Sequence, residues 1–339
     1  MPKKRPSEPR SRPAPGLARG ADPAPGPDPG PAPNPEGRPR PLDAVVRTLF
    51  GLSWGDSRAR ITSGKIRVGE VVRTDPLFRV RDPSLVTLHM NAPKPRTPVL
   101  PAGAVVHVDA HVVVLDKPPG VSTVPYDEAE TGTLDERVRD WLAQSSPRKS
   151  ARGGGRPPLG VVHRLDKDTS GLMVFTRTWL AKQSLTQQFR EHTVLRRYLA
   201  LAAGDVATQT IRSDIHADRG DGLRGSLPRG RRGSPGQGQR AVTHVRALEK
   251  LDGATLVECR LETGRTHQIR IHLSEAGHPI VGEQVYIRDY GGDELRAPRM
   301  MLHAAELGFV HPATEEDVRW EKDPPRDFAE TLAGLRGGH

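Results

Sequence analysis

Apolar residues recur with two different periods along this chain, and each change of period marks a predicted element. Residues 42–50 carry apolar side chains at the spacing of one helical face, which predicts an amphipathic helix. Residues 53–56 predict a turn and cap, and a second helix is expected from residue 57 to about residue 63. The alternation over residues 64–72 predicts a pair of short strands.

Longer strands and helices are predicted from about residue 101 onward. Residues 172–175 are all apolar, which is typical of a strand that is buried on both faces and held rigidly. The predicted strands cover residues 105–108, 112–115, 172–176 and 194–201, and the predicted helices cover residues 135–142, 180–191 and 266–275.

Several stretches carry too few apolar residues to form a core. Residues 1–40 are dominated by Pro, Gly, Ala and Arg, which predicts a disordered tail. Residues 145–158 predict a mobile basic loop, and residues 219–240 predict a flexible loop or hairpin arm beside a nucleic acid. We expect residues 326–339 to form a C-terminal tail.

Composition favours a polyanionic partner. The chain has 51 Lys and Arg residues against 41 Asp and Glu residues, a formal net charge of +10. Because phosphate neutralisation supplies most non-specific affinity for nucleic acids, this balance suits such a partner. The single Cys259 cannot form an intrachain disulfide, and we find neither a run of about 20 apolar residues nor a signal-peptide core. We therefore expect a cytoplasmic location without membrane contact, while the oligomeric state stays open.

The run His163–Gly171 places an acid inside a basic, loop-like segment that leads directly into the buried strand. Asp166 would then be held on a rigid scaffold, and the neighbouring Arg164 would favour its ionised form. A carboxylate of this kind suits nucleophilic or basic chemistry on RNA. The residues alone equally allow a capped turn, since residues 168–170 can hydrogen-bond the local backbone.

A second run of candidate residues lies over residues 261–273. Thr266 is a suitable N-cap for the predicted helix, and Gly277 is a suitable stop. Between the two runs, Tyr198 lies in a predicted strand, where it is either an ordinary strand tyrosine or a platform for a base. His267 and His272 are five residues apart and do not fit a helical pair of metal ligands, so we predict no metal site.

Both runs resemble signatures of the RluA-type pseudouridine synthases. Residues 163–171 match the pattern His-Arg-Leu-Asp-x-x-Thr-Ser-Gly at every fixed position, and residues 263–270 match Thr-Gly-Arg-x-His-Gln-Ile/Leu-Arg. Residues 117–120 resemble the Lys-Pro-x-Gly motif of the family, and residues 198–200 its Tyr-x-Ala motif. Residues 277–283 are also similar, but Glu283 stands where the family usually has Asp. The resemblance extends over residues 41–325.

The resemblance implies a role for each candidate residue. Asp166 would be the catalytic residue, and the guanidinium fork of Arg270 would pair with it bidentately. Tyr198 would stack on the base and relay a proton, while Arg164 would fill the space left by an extruded uridine. The same motifs supply His163, Arg265 and His267 as RNA contacts. The reaction gains and loses no atoms, so no cofactor is expected; the choice between nucleophilic attack and a glycal route stays open.

The resemblance also implies the fold: an α+β catalytic domain over residues 100–325, with a mainly antiparallel central sheet. Residues 41–95 resemble a small α+β RNA-binding domain, the S-four fold. In that domain Arg58, Lys65 and Arg67 would contact RNA, although Gly69-Glu70 stands where the family favours Asn-Gly.

Large-subunit ribosomal RNA is the expected substrate, because members with this two-domain layout commonly act there. Three alternatives stay open: a synthase that acts on transfer RNA, a non-catalytic RNA-binding or ribosome-assembly factor on the same fold, and a hydrolase that uses Asp166 with His163 or His267. The hydrolase is disfavoured, since no second carboxylate is linked to Asp166 by a motif.

Overall fold

A computed structural model describes residues 39–92, 99–126, 130–145, 157–227, 238–287, 289–292 and 295–337. The chain divides into two compact units, with the boundary between Pro93 and Lys94. Three predicted segments lie wholly or partly outside the described residues: the tail over residues 1–40, the basic loop over residues 145–158 and the arm over residues 219–240. Within the described ranges, no helix combines the length and apolar character needed to cross a lipid bilayer.

The N-terminal unit combines two helices with two small antiparallel sheets. Its elements are β1 (Arg40–Pro41), α1 (Leu42–Phe50), α2 (Trp54–Thr62), β2 (Ile66–Val68), β3 (Val71–Val72), β4 (Arg79–Val80) and β5 (Val86–Leu88). Helix α1 has its predicted bounds, whereas α2 begins three residues before the predicted start at residue 57. The Ser53 hydroxyl accepts the amide of Asp56, so the residues predicted as a turn form the first helical turn.

The larger unit contains the remaining elements. They are β6 (Val105–Val108), β7 (Val112–Lys117), α3 (Leu134–Ser145), β8 (Gly160–Val161), β9 (Ser170–Thr176), α4 (Trp179–Arg190), β10 (Leu195–Ala203), β11 (Gln209–Ile215), β12 (Gln239–Lys250), β13 (Ala254–Leu261), α5 (Gln268–Glu275), β14 (Leu302–Val310), β15 (Asp317–Glu321) and α6 (Arg326–Arg336). The predicted strands and helices of this unit are all present, with bounds that differ by a few residues.

These strands form one ten-stranded sheet in the order β11-β12-β13-β10-β14-β9-β7-β6, with β15 pairing with β14 and β8 with β9. Among the described strands only β9 and β14 pair in parallel. Side chains of β9 alternate between two cores: Met173 and Phe175 face the core that receives α3, α5 and α6, while Leu172 and Val174 face α4. The strand after the acidic motif is therefore buried on both faces, as predicted.

Gly171, at the start of this strand, is required by the close approach of β14. Its φ of 108° is unfavourable for other residues, and a Cβ there would lie 2.2 Å from the carbonyl oxygen of Ala304. The last fixed position of the acidic motif thus allows β14 to lie against β9.

The predicted C-terminal tail is wrong over most of its length. Residues Arg326–Arg336 form helix α6, and Phe328 is completely buried in the main core. Leu332 and Leu335 pack against the same core. Phe328, Leu332 and Leu335 recur at helical spacing. The sequence therefore contains a helical pattern that the prediction of a tail did not take into account.

Candidate active site

A cavity of about 380 Å³ lies in the larger unit, a volume within the range of ligand-binding pockets. All the site residues predicted in this unit line it, although the two main motifs are about a hundred residues apart in the chain; Asp166 and Arg270, for example, are separated by 104 positions. The residues that the fold brings together here are His163, Arg164, Asp166, Tyr198, Arg265, His267 and Arg270.

The loop that carries Asp166 is fixed through its backbone carbonyl groups. Thr123 donates a hydrogen bond to the carbonyl of Leu165 at 2.8 Å. Lys117 donates to the carbonyl of Lys167 at 2.8 Å, and Arg299 donates to that of Asp168 at 3.0 Å. Because these bonds lie on both sides of Asp166, the position of its carboxylate is set by the surrounding fold.

Lys117 is one of the buried polar side chains that give this support. The side chain is completely buried, and its ammonium group also donates to the carbonyls of Pro118 and Val121. Burial lowers the pKa of Lys117 to about 7, while the negative charges of Asp168 and Asp166 offset part of this effect. The Lys-Pro-x-Gly motif therefore supplies a buried donor behind the acidic loop.

The expected bidentate pair between Arg270 and Asp166 is wrong. Arg270 Nη1 lies 3.4 Å from Asp166 Oδ2, but the fork formed by Nε and Nη2 binds Glu283 at 2.7 and 2.8 Å. The Glu283 side chain is only 1% exposed, and its Oε1 also accepts the amides of Gln284 and Val285. The buried glutamate orients the guanidinium, which then presents one remaining nitrogen to Asp166.

The pKa values of this pair follow from the same contacts. Burial alone would lower the pKa of Arg270, but the hydrogen-bonded carboxylate of Glu283 raises it above its usual range. Burial would raise the pKa of Glu283, and Arg270 together with the backbone amides holds it below its usual range. Both groups are therefore charged at neutral pH.

His267 is the second neighbour of Asp166 on this side. Its Nε2 lies 3.8 Å from Asp166 Oδ1, and its Nδ1 lies 2.7 Å from the hydroxyl of Tyr286. Burial lowers the pKa of His267, which favours a neutral ring. Tyr286 donating to Nδ1 would leave the proton on Nε2, where it faces the carboxylate.

Helix α5 starts later than predicted. His267 rather than Thr266 is the N-cap residue, because His267 takes a left-handed conformation with φ 58°. The hydroxyl of Thr266 therefore does not cap the helix. The side chain of Gln268 instead accepts the amide of Arg265 and donates to the carbonyl of Val242, which ties the loop to β12.

Tyr198 lies on β10 and is almost completely buried. No hydrogen bond from a described residue reaches its hydroxyl, and the side chain lines the cavity beside Asp166. Burial raises the pKa of Tyr198, so the phenol is protonated at neutral pH. An aromatic face and a free hydroxyl are thus available to a bound base.

The side chains predicted to contact RNA in the cavity differ in how far other groups of the protein already bind them. Arg164 is exposed, and no described residue binds its guanidinium. Arg265 Nε donates to the carbonyl of Arg240 at 3.0 Å. His163 has a structural contact instead: its Nε2 accepts the amide of Val174 at 3.1 Å and its ring stacks on Phe189.

The environment of His163 keeps its ring neutral. Burial, together with the positive charge of Arg196, lowers the pKa of His163 to about 3. A neutral imidazole is required for the hydrogen bond that it accepts from the backbone. His163 lines the cavity, but it does not supply a positive charge to a phosphate.

The predicted RNA contacts of the N-terminal unit also take part in local structure. Arg58 Nε lies 3.0 Å from Asp43, whose side chain is only 4% exposed, and Lys65 donates to the carbonyl of Ala92. The side chain of Arg67 is 39% exposed, and its Nη1 lies 3.8 Å from Glu70. The sequence analysis did not foresee that Arg58 neutralises a buried carboxylate.

Sequence reasoning also missed several residues that hold the cavity together. The sequence analysis names Glu283 only as a departure from the family pattern and assigns no role to Tyr286. The residues of this kind are Lys117, Gln268, Glu283, Tyr286 and Arg299. The short Gly-Glu-Gln-Val-Tyr run at residues 282–286 was the available signal. Among the described residues, no three His, Cys, Asp or Glu side chains are grouped so that they could hold a metal ion.

Fold and site together define an α+β enzyme in which one carboxylate lies in a cation-lined cavity, an arrangement suited to a polyanionic substrate. Comparisons with known proteins identify its family. A family model described as RNA pseudouridylate synthase matches residues 111–275. A protein named ribosomal large subunit pseudouridine synthase D from Zymomonas mobilis is 37% identical over 269 residues, which cover 77% of this chain and 81% of that protein.

Further relatives agree. A protein of the same name from Xylella fastidiosa is 37% identical, over 88% of this chain and 89% of that protein. The solved structure of human RNA pseudouridylate synthase domain containing 1 is 28% identical, has a TM-score of 0.52 and covers 66% of this chain and 83% of that one. A second solved structure, human RNA pseudouridylate synthase domain containing 4, is similar in fold, with a TM-score of 0.55 at 23% identity over 69% of this chain and 94% of that one.

The chain belongs to the RluA-type family of RNA pseudouridine synthases. It is therefore an isomerase that converts uridine in RNA to pseudouridine.

Proposed function

We propose that this enzyme isomerises specific uridines of large-subunit ribosomal RNA, in the cytoplasm, with Asp166 as the catalytic residue. Relatives that match most of this chain are named ribosomal large subunit pseudouridine synthases, and these names support the proposed substrate. The net charge of +10 agrees with an RNA substrate. The observation that carries the proposal is the carboxylate of Asp166, held in the cavity beside Arg270 and Tyr198.

The chemistry requires four changes at the target nucleotide. The bond between N1 of uracil and C1′ of ribose breaks, the base turns, a bond forms between C5 and C1′, and the proton lost from C5 is balanced by one gained at N1. Asp166 acts on the nucleotide in the bond-breaking stage. Tyr198 stacks on the base and relays the C5 proton: because its phenol is protonated at neutral pH, it gives its own hydroxyl proton to an acceptor such as Asp166 as it takes up the proton from C5.

Binding comes before chemistry, because the base must leave its stack to reach the cavity. Extrusion of one base costs a few kcal/mol. Arg164, which is exposed and has no partner among the described residues, is suited to entering the vacated space and offsetting part of this cost. We further propose that the N-terminal unit binds structured RNA through its exposed basic residues, of which Arg67 is an example.

Pseudouridine mapping tests the proposal directly. A deletion strain of the source organism would be complemented with wild type or with Asp166→Asn, and pseudouridines would be mapped across all RNAs by carbodiimide labelling. We expect sites in large-subunit ribosomal RNA that return only with wild type.

Each other result would contradict a stated part of the proposal. If the modified sites were confined to transfer RNA, the substrate would be transfer RNA and not ribosomal RNA. If Asp166→Asn restored the sites, Asp166 would not be the catalytic residue. If no site changed, a binding or ribosome-assembly role would replace the enzymatic one.

A further inference from the structure

The buried guanidinium of Arg196, on the wall of the active-site cavity, has no carboxylate partner in the described part of the chain. Arg196 lies on β10 two residues before Tyr198, so the two side chains point to the same face of the sheet. Only 7% of Arg196 is exposed, and it lines the same cavity as Asp166. Its Nε has no hydrogen bond, and no Asp or Glu of the described residues forms an ion pair with it.

The contacts of Arg196 hold its position without balancing its charge. Its Nη2 donates to the carbonyl of Glu262 at 3.2 Å, and its guanidinium lies 5.5 Å from the centre of the Phe189 ring. Gly264 leaves room for the group, since a Cβ at that residue would lie 2.6 Å from Nη1. Buried arginines are otherwise paired with an anion, because an isolated charge is unfavourable in a low-dielectric interior. The protein therefore buries the positive charge of Arg196 without supplying a negative charge to balance it. A bound molecule would have to supply that negative charge.

We propose that Arg196 binds a backbone phosphate of the RNA next to the extruded uridine. This inference rests on the proposed function, since it assumes that a nucleotide of RNA enters the cavity. A guanidinium binds phosphate oxygens through its N–H groups, and Nη1, which has no acceptor among the described residues and is not among the buried unpaired atoms, is the nitrogen available for such a contact. Uracil oxygens are neutral and do not supply the missing negative charge.

The surroundings of Arg196 agree with this assignment. Arg190 and His192 line the same cavity and are exposed, so they form a polar entrance to it. Two residues of a strand span about 6.6 Å, so a phosphate at Arg196 would lie within about one nucleotide of a base at Tyr198. The phosphate would thus fix the depth at which the nucleotide enters, while Tyr198 contacts the base.

Salt dependence of RNA binding tests the phosphate contact. The probe is a transcript of the large-subunit ribosomal RNA of the source organism, titrated with wild type, Arg196→Met and Arg196→Lys at several KCl concentrations. We expect Arg196→Met to bind several-fold more weakly at physiological salt, and the slope of log K against log salt to fall in magnitude by about one. Arg196→Lys keeps the charge and should keep most of the slope. The matched control is Arg246→Met, which removes an exposed arginine paired with Glu258 and should change neither value.

A second measurement uses inorganic phosphate as the probe. The side-chain Nε–H signal of Arg196, assigned in NMR spectra by its loss in Arg196→Lys, should shift saturably with phosphate and not with chloride at equal ionic strength. An unchanged slope in Arg196→Met would overturn the proposal, and so would a signal that does not respond to phosphate. A variant that loses thermal stability but keeps the slope would assign Arg196 a purely structural role.

These measurements require no turnover, so they separate the two levels of inference. If the slope falls as expected but no uridine is modified in the mapping experiment, the proposed function fails while the phosphate site stands. If uridines are modified and the slope is unchanged, only the assignment of Arg196 fails.

Discussion

The basic residues of the two units differ in how they are held. In the larger unit, Lys117 is completely buried and donates to three carbonyls, and Arg270 binds two carboxylates with a side chain that is 12% exposed. In the N-terminal unit, Arg58 and Arg67 are 47% and 39% exposed, and each lies against one carboxylate. Buried cations fix the geometry of neighbouring groups, whereas exposed ones act mainly through long-range attraction that salt screens. Substitutions should therefore have large effects on turnover in the first unit and small effects on binding in the second.

The strongest test removes the carboxylate around which the buried cations are arranged. Asp166→Asn keeps the size of the side chain but loses its charge and nucleophilicity, so we expect single-turnover activity to fall about a thousand-fold or more. RNA affinity should stay within about two-fold, because one anion contributes little to phosphate binding. The measurement is release of tritium from RNA labelled at C5 of uridine. Asp168→Asn, an exposed acid in the same loop, is the matched control and should retain most activity.

The next largest effect is expected at Glu283, which orients Arg270 without touching the substrate. Glu283→Gln removes the buried negative charge that holds the guanidinium fork, so Arg270 should shift relative to Asp166. A displacement of about 1 Å at a reacting group costs about 100-fold in rate, and we expect kcat to fall by roughly 10- to 100-fold with little change in KM. Glu283→Asp, which restores the charge, should recover much of kcat. Equal losses in the two variants would show that the carboxylate does not act through Arg270.

A smaller effect is expected where α6 is attached to the acidic loop. Arg299 binds both oxygens of Asp327 at 2.6 and 3.0 Å and also donates to the carbonyl of Asp168. Asp327→Ala leaves a buried guanidinium without its partner, which should lower the free energy of unfolding by about 1–3 kcal/mol, since Asp327 is partly exposed. Urea denaturation measures this change. Glu330→Gln removes an exposed acid of the same helix and should cost less than about 0.5 kcal/mol.

The contrast between the units also explains how far the sequence could predict the fold. Local patterns located the helices α1–α5 and the strands β2, β3, β6, β7, β9 and β10, because apolar periodicity depends on near neighbours, but they did not predict β11–β15 or α6. The motif matches predicted that Asp166, Tyr198 and Arg270 belong to one active site. In the structure all three line one cavity. The partner of the Arg270 fork was predicted wrongly, because pairing of side chains 13 or 104 positions apart depends on the tertiary fold.

The remaining errors have equally specific causes. The N-cap of α5 moved from Thr266 to His267 because the backbone of His267 is left-handed, which residue type alone does not reveal. The structural role of Arg299 depends on α6, for which the sequence analysis predicts only a tail. Sequence reasoning therefore found the residues that face the cavity and missed those that hold them.

The buried, neutral ring of His163 can be tested through the pH dependence of the free energy of unfolding. Its folded pKa of about 3 lies below the ordinary value near 6.5, so the unfolded chain binds the proton more tightly. Stability should therefore be fully present above pH 6.5 and fall as pH drops toward 3, by up to about 1.4 kcal/mol per pH unit. His163→Gln keeps an acceptor for the Val174 amide but does not titrate, so its unfolding free energy should depend less on pH in this range. If the unfolding free energies of wild type and His163→Gln depended on pH in the same way, His163 would not be the source of this pH dependence.

The smallest effect is expected at Arg67, which represents the exposed cations of the N-terminal unit. Arg67→Ala removes one charge that no tight contact holds, so RNA affinity should fall by no more than about three-fold and the salt slope by less than one. Turnover at saturating RNA should stay unchanged, because the exposed charge assists capture of the RNA. Glu70→Gln is a control of opposite sign: it removes a fully exposed acid 3.8 Å from Arg67 and should strengthen binding slightly. If Arg67→Ala instead lowered kcat as strongly as Glu283→Gln, exposed and buried cations would act alike. The distinction between capture and positioning would then have to be abandoned.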